Sequence, residues 1–168
     1  GLIVVEATAV HQSKSGPLLR LGEDRFIDGH RELVRRVKGE SDSRILPQII
    51  HFLKVARSGW RQTIDSLSEE EIQGIIKAFA EAAGRARSAG YDGVELHAAH
   101  AYTLASFLSR KNPRRDVYSG KTLAGRLRLV SEVYDAVRAE VGEDFCVGIR
   151  FLADEMIKGG STVEDAKM

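Results

Sequence analysis

The chain of 168 residues has a single cysteine, Cys146, and therefore no intrachain disulfide framework. This scarcity favours a reducing, cytoplasmic setting. Cys146 lies in an apolar run, which predicts a small core residue rather than a nucleophile. Charge of one sign is not in excess either, because 25 basic residues face 24 acidic ones. A chain with so little net charge has no electrostatic potential that would attract nucleic acid or an acidic membrane.

Long hydrophobic runs are also missing. Runs such as residues 2–5 and 49–53 are far too short to span a bilayer, and no secretory signal peptide is visible. The sequence contains no GxGxxG, Walker loop, CxxC or HExxH motif, which removes the usual nucleotide-binding, P-loop, zinc-ribbon and zincin classes. What is present is 43% apolar residues, enough for one core of ordinary size.

Strand-like apolar runs alternate with helical patterns along the whole chain. Buried strands are predicted over residues 1–10, 44–52, 92–97 and 145–151. Helices are predicted over residues 23–37, 68–90, 101–109 and 124–141. Residues 11–17 and 54–65 are predicted to be loops. This order indicates one α/β domain over residues 1–168 with a parallel sheet and right-handed crossovers.

Residue types mark several helix features. Ser68 precedes Glu71 by three residues, which predicts a capping box, and Gly90 is placed to end the same helix. In the last long helix the apolar spacing assigns Leu127 and Tyr134 to the inner face. The charged Arg126 is assigned to the solvated face of that helix.

Polar and aromatic side chains cluster after the third predicted strand, at His97, His100 and Tyr102. In parallel α/β folds, ligands bind beyond the carboxyl ends of the strands. Two imidazoles and a phenol there could hold a polarised carbonyl or an anionic ring. A packed, hydrogen-bonded His97 and a helix-start His100 explain the spacing equally well, so both interpretations stay open at this point.

Two further polar residues lie in predicted buried strands. Gln48 interrupts the second strand, and a buried amide needs either a backbone or water partner or a bound ligand. Arg150 ends the fourth strand, where its guanidinium needs either a structural carboxylate or an anionic ligand. The residues alone do not decide between these partners.

The segment 90–109, G-Y-D-G-V-E-L-H-A-A-H-A-Y-T-L-A-S-F-L-S, resembles the old yellow enzyme family of FMN-dependent NAD(P)H:flavin oxidoreductases and ene-reductases. Its similarity is greatest to the 2,4-dienoyl-CoA reductase-like branch. Weaker similarity covers residues 5–10, Gln48 with His51, and residues 147–150. The family fold is a TIM barrel of eight β/α units. The resemblance therefore implies a single incomplete domain covering about barrel strands 2–5, which alone should bind FMN weakly or not at all.

The resemblance also implies a role for each residue of the third-strand cluster. His97 and His100 would hydrogen-bond the carbonyl oxygen of a small unsaturated substrate and so polarise its double bond. Hydride from NAD(P)H, carried by the flavin, would then reach the β-carbon. Tyr102 would protonate the α-carbon as a general acid.

Three other residues would hold the cofactor if the resemblance extends to function. Gln48 would bond the pyrimidine edge of FMN, and Arg150 would stabilise charge at its N1/O2 end. Ala7 would contact the flavin through its backbone.

Two alternatives belong to other functional classes. A metal-dependent barrel hydrolase could use His97 and His100 as ligands, with His51 or Glu6 completing the set. A non-catalytic half-barrel could instead pair with another copy, because four strands leave two open edges. A homo-oligomer is therefore among the expectations.

Overall fold

The computed structural model of the protein describes residues 1–12, 18–55 and 58–168. In these ranges five strands form one sheet in the order β2-β1-β3-β4-β5, and every pairing is parallel. The strands are β1 (Leu2–Ala9), β2 (Leu19–Arg20), β3 (Arg44–Ile50), β4 (Gly93–Ala98) and β5 (Cys146–Phe151). Four strands match the predicted ones, whereas the two-residue β2 was not anticipated. The predicted loops at 11–17 and 54–65 fall partly outside the described residues.

Helices connect the strands. They are α1 (Ile27–Glu40), α2 (Glu69–Ser88), α3 (Thr103–Leu108), α4 (Leu123–Val141) and α5 (Val163–Ala166). A 3-10 turn precedes each of the first two, at Asp24–Phe26 and Ile64–Ser66. The predicted capping box is present, because Ser68 and Glu71 exchange side-chain-to-backbone hydrogen bonds of 3.1 and 3.0 Å. Gly90 follows α2 with φ +91°, as a C-terminal glycine should.

The core lies where α2 packs on β3 and β4 and against α4. Strand β3 is buried on both faces after its first residue, as expected for a central strand of a parallel sheet. Burying each large apolar side chain stabilises the fold by about 1.5–3 kcal/mol. The largest fully buried side chains come from all layers of the fold: Phe79, Phe107, Leu21, Ile45, Ile49, Ile50, Ile72, Leu96, Leu104 and Leu129.

Strands β1 and β5 correct the prediction that all four strands are buried. Leu2 in β1 is 62% exposed and Phe151 in β5 is 47% exposed. Cys146, predicted to be a core residue, is exposed as well. The apolar composition of β1 and β5 was interpreted as burial, but the described residues do not cover the outer surfaces of these two strands.

The face of α4 is a second correction. Arg126, assigned to the solvated face, is buried and donates to the Gly120 carbonyl at 3.3 Å and to Asp165 at 3.0 Å. Leu127 and Tyr134, assigned to the inner face, are exposed. A carboxylate from α5 lets the guanidinium enter the interior, and this shifts the buried stripe of α4.

The parallel arrangement places the carboxyl ends of all the long strands at one end of the sheet. At the opposite, amino-terminal end of the sheet, Asp92 links β3 to β4 by accepting the N–H of Ile45 at 2.9 Å. It also forms ion pairs with Lys38 and Arg44. The β1–β3 register shifts between Val5 and Ala7. Pro47 lies opposite this irregularity and has no N–H to offer the ladder.

Among the described residues, no helix combines the length and apolar character that crossing a membrane requires.

Candidate active site

His97 occupies the buried end of β4 and is only 3% exposed. Its Nδ1 accepts the Ala99 backbone N–H at 3.1 Å, which assigns the proton of the neutral ring to Nε2. Burial, with smaller contributions from His100 and Arg150, lowers the pKa of His97 to about 4. At neutral pH His97 is therefore an uncharged imidazole that donates through Nε2.

His100 lies against His97, with its Nδ1 3.2 Å from His97 Nε2 and the two rings edge to face. Both His100 and Ala101 adopt the left-handed region, at φ 57° and 55°. Such a conformation costs a residue with a Cβ about 1–2 kcal/mol. Backbone strain of this kind concentrates at functional sites, and here it reverses the chain between β4 and α3 so that His100 returns over His97.

Tyr102 occupies the N-cap position of α3 and is 40% exposed. Its ring makes edge contacts with His97, at 5.6 Å between centroids, and with Phe52, at 4.9 Å. Its hydroxyl has no hydrogen-bond partner in the part of the chain that the structure describes. The structure thus brings the three predicted catalytic residues together and leaves the phenol available to donate a proton.

Gln48 bonds another side chain, whereas the sequence suggested a backbone, water or ligand partner. Its Nε2 donates to Oε1 of Glu95 across the β3–β4 pair at 2.6 Å, and the residue is 8% exposed. Ala7 is the register partner of Gln48 on β1, directly after the register shift. The sequence reasoning gave Glu95 no role in binding, although its position two residues before His97 places it on the same face of β4.

Arg150 is the register partner of His97 on β5 and is exposed. Within the described ranges no carboxylate lies within ion-pair distance of its guanidinium, so the structural salt bridge considered from sequence is not found there. The positive charge of Arg150 instead acts on His97, where it contributes to the lowered pKa. An anionic group bound beside His97 would meet this charge.

His51, one of the residues proposed to complete a metal site, is hydrogen-bonded to Thr103. His51 Nδ1 lies 2.9 Å from the Thr103 hydroxyl, which donates to the His51 carbonyl at 3.0 Å and therefore accepts from Nδ1. Burial, then repulsion from His11 and Lys54, lowers the pKa of His51 to about 3. No cluster of three or more His, Cys, Asp or Glu in residues 1–12, 18–55 and 58–168 could hold a metal ion. The structure gives the hydrolase alternative no support.

A cavity of about 590 Å³ lies next to the segment that carries the histidines, although His97, His100 and Tyr102 are not among its lining residues. Ala98, which follows His97, and Ala101, which follows His100, belong to its lining, and most of its surface is apolar. Arg114 holds one wall in place by donating to the carbonyls of Ile64 at 2.5 Å and Leu67 at 3.0 Å. The size and character of this cavity suit a small organic molecule.

The wall formed after β5 is fixed by Glu155. Its carboxylate accepts hydrogen bonds from the Ser109 hydroxyl at 2.9 Å and from the backbone N–H of Ser161 at 2.5 Å. These contacts join the segment after β5 to the end of α3, and both segments contribute residues to the cavity lining.

The side chains around β3, β4 and β5 fit the flavin that the sequence resemblance implies. The carboxamide oxygen of Gln48 receives no hydrogen bond from the described residues and can accept a ring N–H. Arg150 offers a positive charge for the electron-rich end of the ring. Gly148 is in register with Glu95, and a Cβ there would meet only the Val94 carbonyl, at 3.9 Å. This face therefore has room for a planar ring edge.

Comparison with known proteins defines the class. A sequence profile described as the NADH:flavin oxidoreductase / NADH oxidase family matches residues 5–168, and the chain belongs to this family. The NADH oxidase of Thermoanaerobacter brockii is 33% identical over 99% of this chain and 29% of its own length. The NADPH dehydrogenase of Halalkalibacterium halodurans is 35% identical over 98% of this chain and 52% of its own length. The resemblance to the old yellow enzyme family is thus confirmed.

Solved structures support the fold. A 2-naphthoyl-CoA reductase in complex with 2-naphthoyl-CoA superposes with a TM-score of 0.84 at 25% identity, over 98% of this chain and 29% of that protein. A histamine dehydrogenase from Rhizobium sp. 4-9 superposes with a TM-score of 0.84 at 26% identity, over 99% of this chain and 28% of that protein. The predicted TIM-barrel segment is confirmed, and the chain spans about half or less of the length of these relatives.

Proposed function

We propose that the protein is an FMN-dependent oxidoreductase that uses NAD(P)H to reduce an activated C=C bond of a small molecule. The observation that carries this proposal is the neutral, buried His97, whose proton is fixed on Nε2 beside His100 and Tyr102. Relatives named NADH oxidase and NADPH dehydrogenase support a nicotinamide reductant.

The substrate carbonyl binds at the two histidines. Once a carbonyl oxygen replaces their mutual contact, His97 and His100 donate to it, and these fixed dipoles stabilise the negative charge that develops on that oxygen during reduction. Tyr102 has no competing partner among the described residues and delivers the proton to the α-carbon. The apolar cavity beside Ala101 accepts the hydrocarbon part of the substrate.

The cofactor lies against the carboxyl-terminal halves of β1, β3 and β5. Bound FMN supplies the hydride carrier between NAD(P)H and the substrate. Gln48 holds the pyrimidine edge through its carboxamide, Arg150 neutralises charge at the N1/O2 end, and the backbone of Ala7 closes the contact on β1. These roles account for two polar side chains that the structure leaves without a full set of protein partners.

The decisive experiment uses the full-length gene product, reduced anaerobically with NADH or NADPH and then mixed with an acceptor. An α,β-unsaturated ketone should reoxidise the reduced protein, whereas the saturated ketone of the same skeleton should not. His97→Ala should slow this reoxidation by about 10²-fold, as removal of an oxyanion donor does, while reduction by the nicotinamide continues. Equal rates with the saturated and unsaturated ketones would refute the proposal.

A cytoplasmic location and self-association complete the proposal. The single, exposed cysteine suits a reducing compartment. The exposed apolar residues of β1 and β5 offer surfaces for a second copy. Light scattering of the purified full-length protein will measure its mass, and a monomer would rule out the homo-oligomer.

A further inference from the structure

Gln48 and Glu95 form the shortest polar link across the centre of the sheet at the site end. The Gln48 Nε2 to Glu95 Oε1 distance is 2.6 Å, between residues in direct register on neighbouring strands. Hydrogen bonds to an ionised acceptor are about twice as strong as neutral ones, and this bond joins a buried amide to a half-buried carboxylate. It is therefore expected to fix the orientation of the Gln48 amide.

The orientation matters because an amide offers different groups on its two sides. An ionised carboxylate can only accept, so Glu95 holds the nitrogen of Gln48 and disfavours the flipped amide, which would place two oxygens together. The carboxamide oxygen is then the free end, and in the described residues nothing donates to it. The pyrimidine edge of a flavin carries an N–H group, which needs such an acceptor.

The position of Glu95 separates it from the reacting groups. Glu95 and His97 lie on the same face of β4, two residues apart, which corresponds to about 6.6 Å along the strand. His97, His100 and Tyr102 lie at or after the carboxyl end of β4, whereas Glu95 lies two residues earlier in the strand, next to Gln48. This placement suits a residue that acts through a neighbour.

We propose that Glu95 is a positioning residue for the flavin, because its carboxylate holds the Gln48 nitrogen and leaves the Gln48 oxygen for the ring N–H. This inference rests on the proposed function. It adds a specificity element to the cofactor site, since a ring edge with an acceptor at that point would face an oxygen and bind poorly.

The test measures FMN affinity of the deflavinated full-length protein by quenching of flavin fluorescence, without using turnover. Glu95→Leu should weaken FMN binding about tenfold, the effect of one hydrogen bond lost or misdirected. Glu95→Gln keeps an acceptor oxygen and should stay within about threefold of wild type. Glu143→Leu, which removes an exposed glutamate between α4 and β5, is the matched control and should change nothing.

A double-mutant cycle with Gln48→Leu distinguishes positioning from a general structural role. Once Gln48 is gone, Glu95→Leu should cause no further loss of affinity. An equal loss in both backgrounds, or unchanged affinity in the single variant, would overturn the proposal for Glu95 while leaving FMN binding established. A wild-type protein that takes up no FMN would overturn the proposed function together with it. If Glu95→Leu does not fold, Glu95→Asp takes its place, and it should weaken binding less but still only when Gln48 is present.

Discussion

His97 and His100 face each other with 3.2 Å between Nε2 of the first and Nδ1 of the second. The Ala99 N–H on the other nitrogen of His97 fixes the direction of donation, so a chain of donors runs from the backbone through His97 to His100. The buried His97 must stay neutral in this arrangement, since a proton on its Nδ1 would break the bond to Ala99. The pKa of about 4 agrees with this requirement.

Stability should fall in mildly acidic solution because several histidines have lowered pKa values in the folded protein. In the folded protein the pKa of His97 is lowered to about 4 and that of His51 to about 3, against 6.5 in the unfolded chain. Burial also lowers the pKa of His30. The unfolded state therefore binds more protons as the pH drops below 6.5. The free energy of unfolding should decrease by up to about 1.4 kcal/mol per pH unit for each histidine between pH 6.5 and 4, and it should be constant above that range.

Urea unfolding at pH 7, 6 and 5 measures this slope. His51→Gln should reduce it, because one titrating group is removed, while His97 and His30 maintain the rest of the slope. A free energy of unfolding that does not change between pH 7 and pH 5 would contradict the assignment of both histidines as buried and neutral.

Ala101 tests the strained turn. Ala101→Gly relieves a left-handed conformation but adds freedom to the unfolded chain, so the free energy of unfolding should stay within about 1 kcal/mol of wild type. Ala101→Val places a β-branched residue at φ 55° and should lower the free energy of unfolding by more than about 1–2 kcal/mol. Denaturant titration of both variants provides the comparison, and equal stabilities would show that the turn is not left-handed.

Tyr102→Phe should separate stability from chemistry. The hydroxyl has no partner among the described residues, so its loss should change the free energy of unfolding by less than about 0.5 kcal/mol. Reduction of an unsaturated ketone should slow by about 10²-fold or more, while reduction of the flavin by NAD(P)H should not change. Tyr134→Phe, on the exposed side of α4, is the matched control. Identical ketone reduction by the two variants would remove Tyr102 from the mechanism.

Asp92 lies in the same sequence motif as Glu95 but should behave differently. It accepts the Ile45 N–H at 2.9 Å at the amino-terminal end of the sheet, opposite the site. Asp92→Ala leaves that N–H without its partner and should lower the free energy of unfolding by about 1–3 kcal/mol. FMN affinity of the folded variant should stay at the wild-type value. Calorimetry and flavin quenching measure the two effects, and a loss of affinity at unchanged stability would reverse this assignment.

The strands and long helices could be predicted because their residue patterns are local. The capping box at Ser68 and the glycine after α2 are likewise set by neighbours in sequence. Arg126 was misassigned because its partner Asp165 lies 39 residues away, and nothing near it in the chain marks burial. The two-residue β2 is too short for any periodicity to reveal.

The site was partly predictable for the same reason. His97, His100 and Tyr102 fall within one short segment, so spacing at a strand end was enough to group them. The bond between Gln48 and Glu95 depends on the register of two strands, and the residues are 47 positions apart. The left-handed turn at His100 and Ala101 contains no glycine, so nothing in the sequence indicates it.

The central claim is that this chain forms part of a flavin site reduced by a nicotinamide. The most direct measurement is the visible absorption spectrum of the purified full-length protein, before and after anaerobic addition of NADH or NADPH. The account predicts the yellow absorption of oxidised flavin and its loss on reduction. A colourless protein that takes up no FMN would contradict it, and the His97–His100 pair would then have to be explained as packing alone.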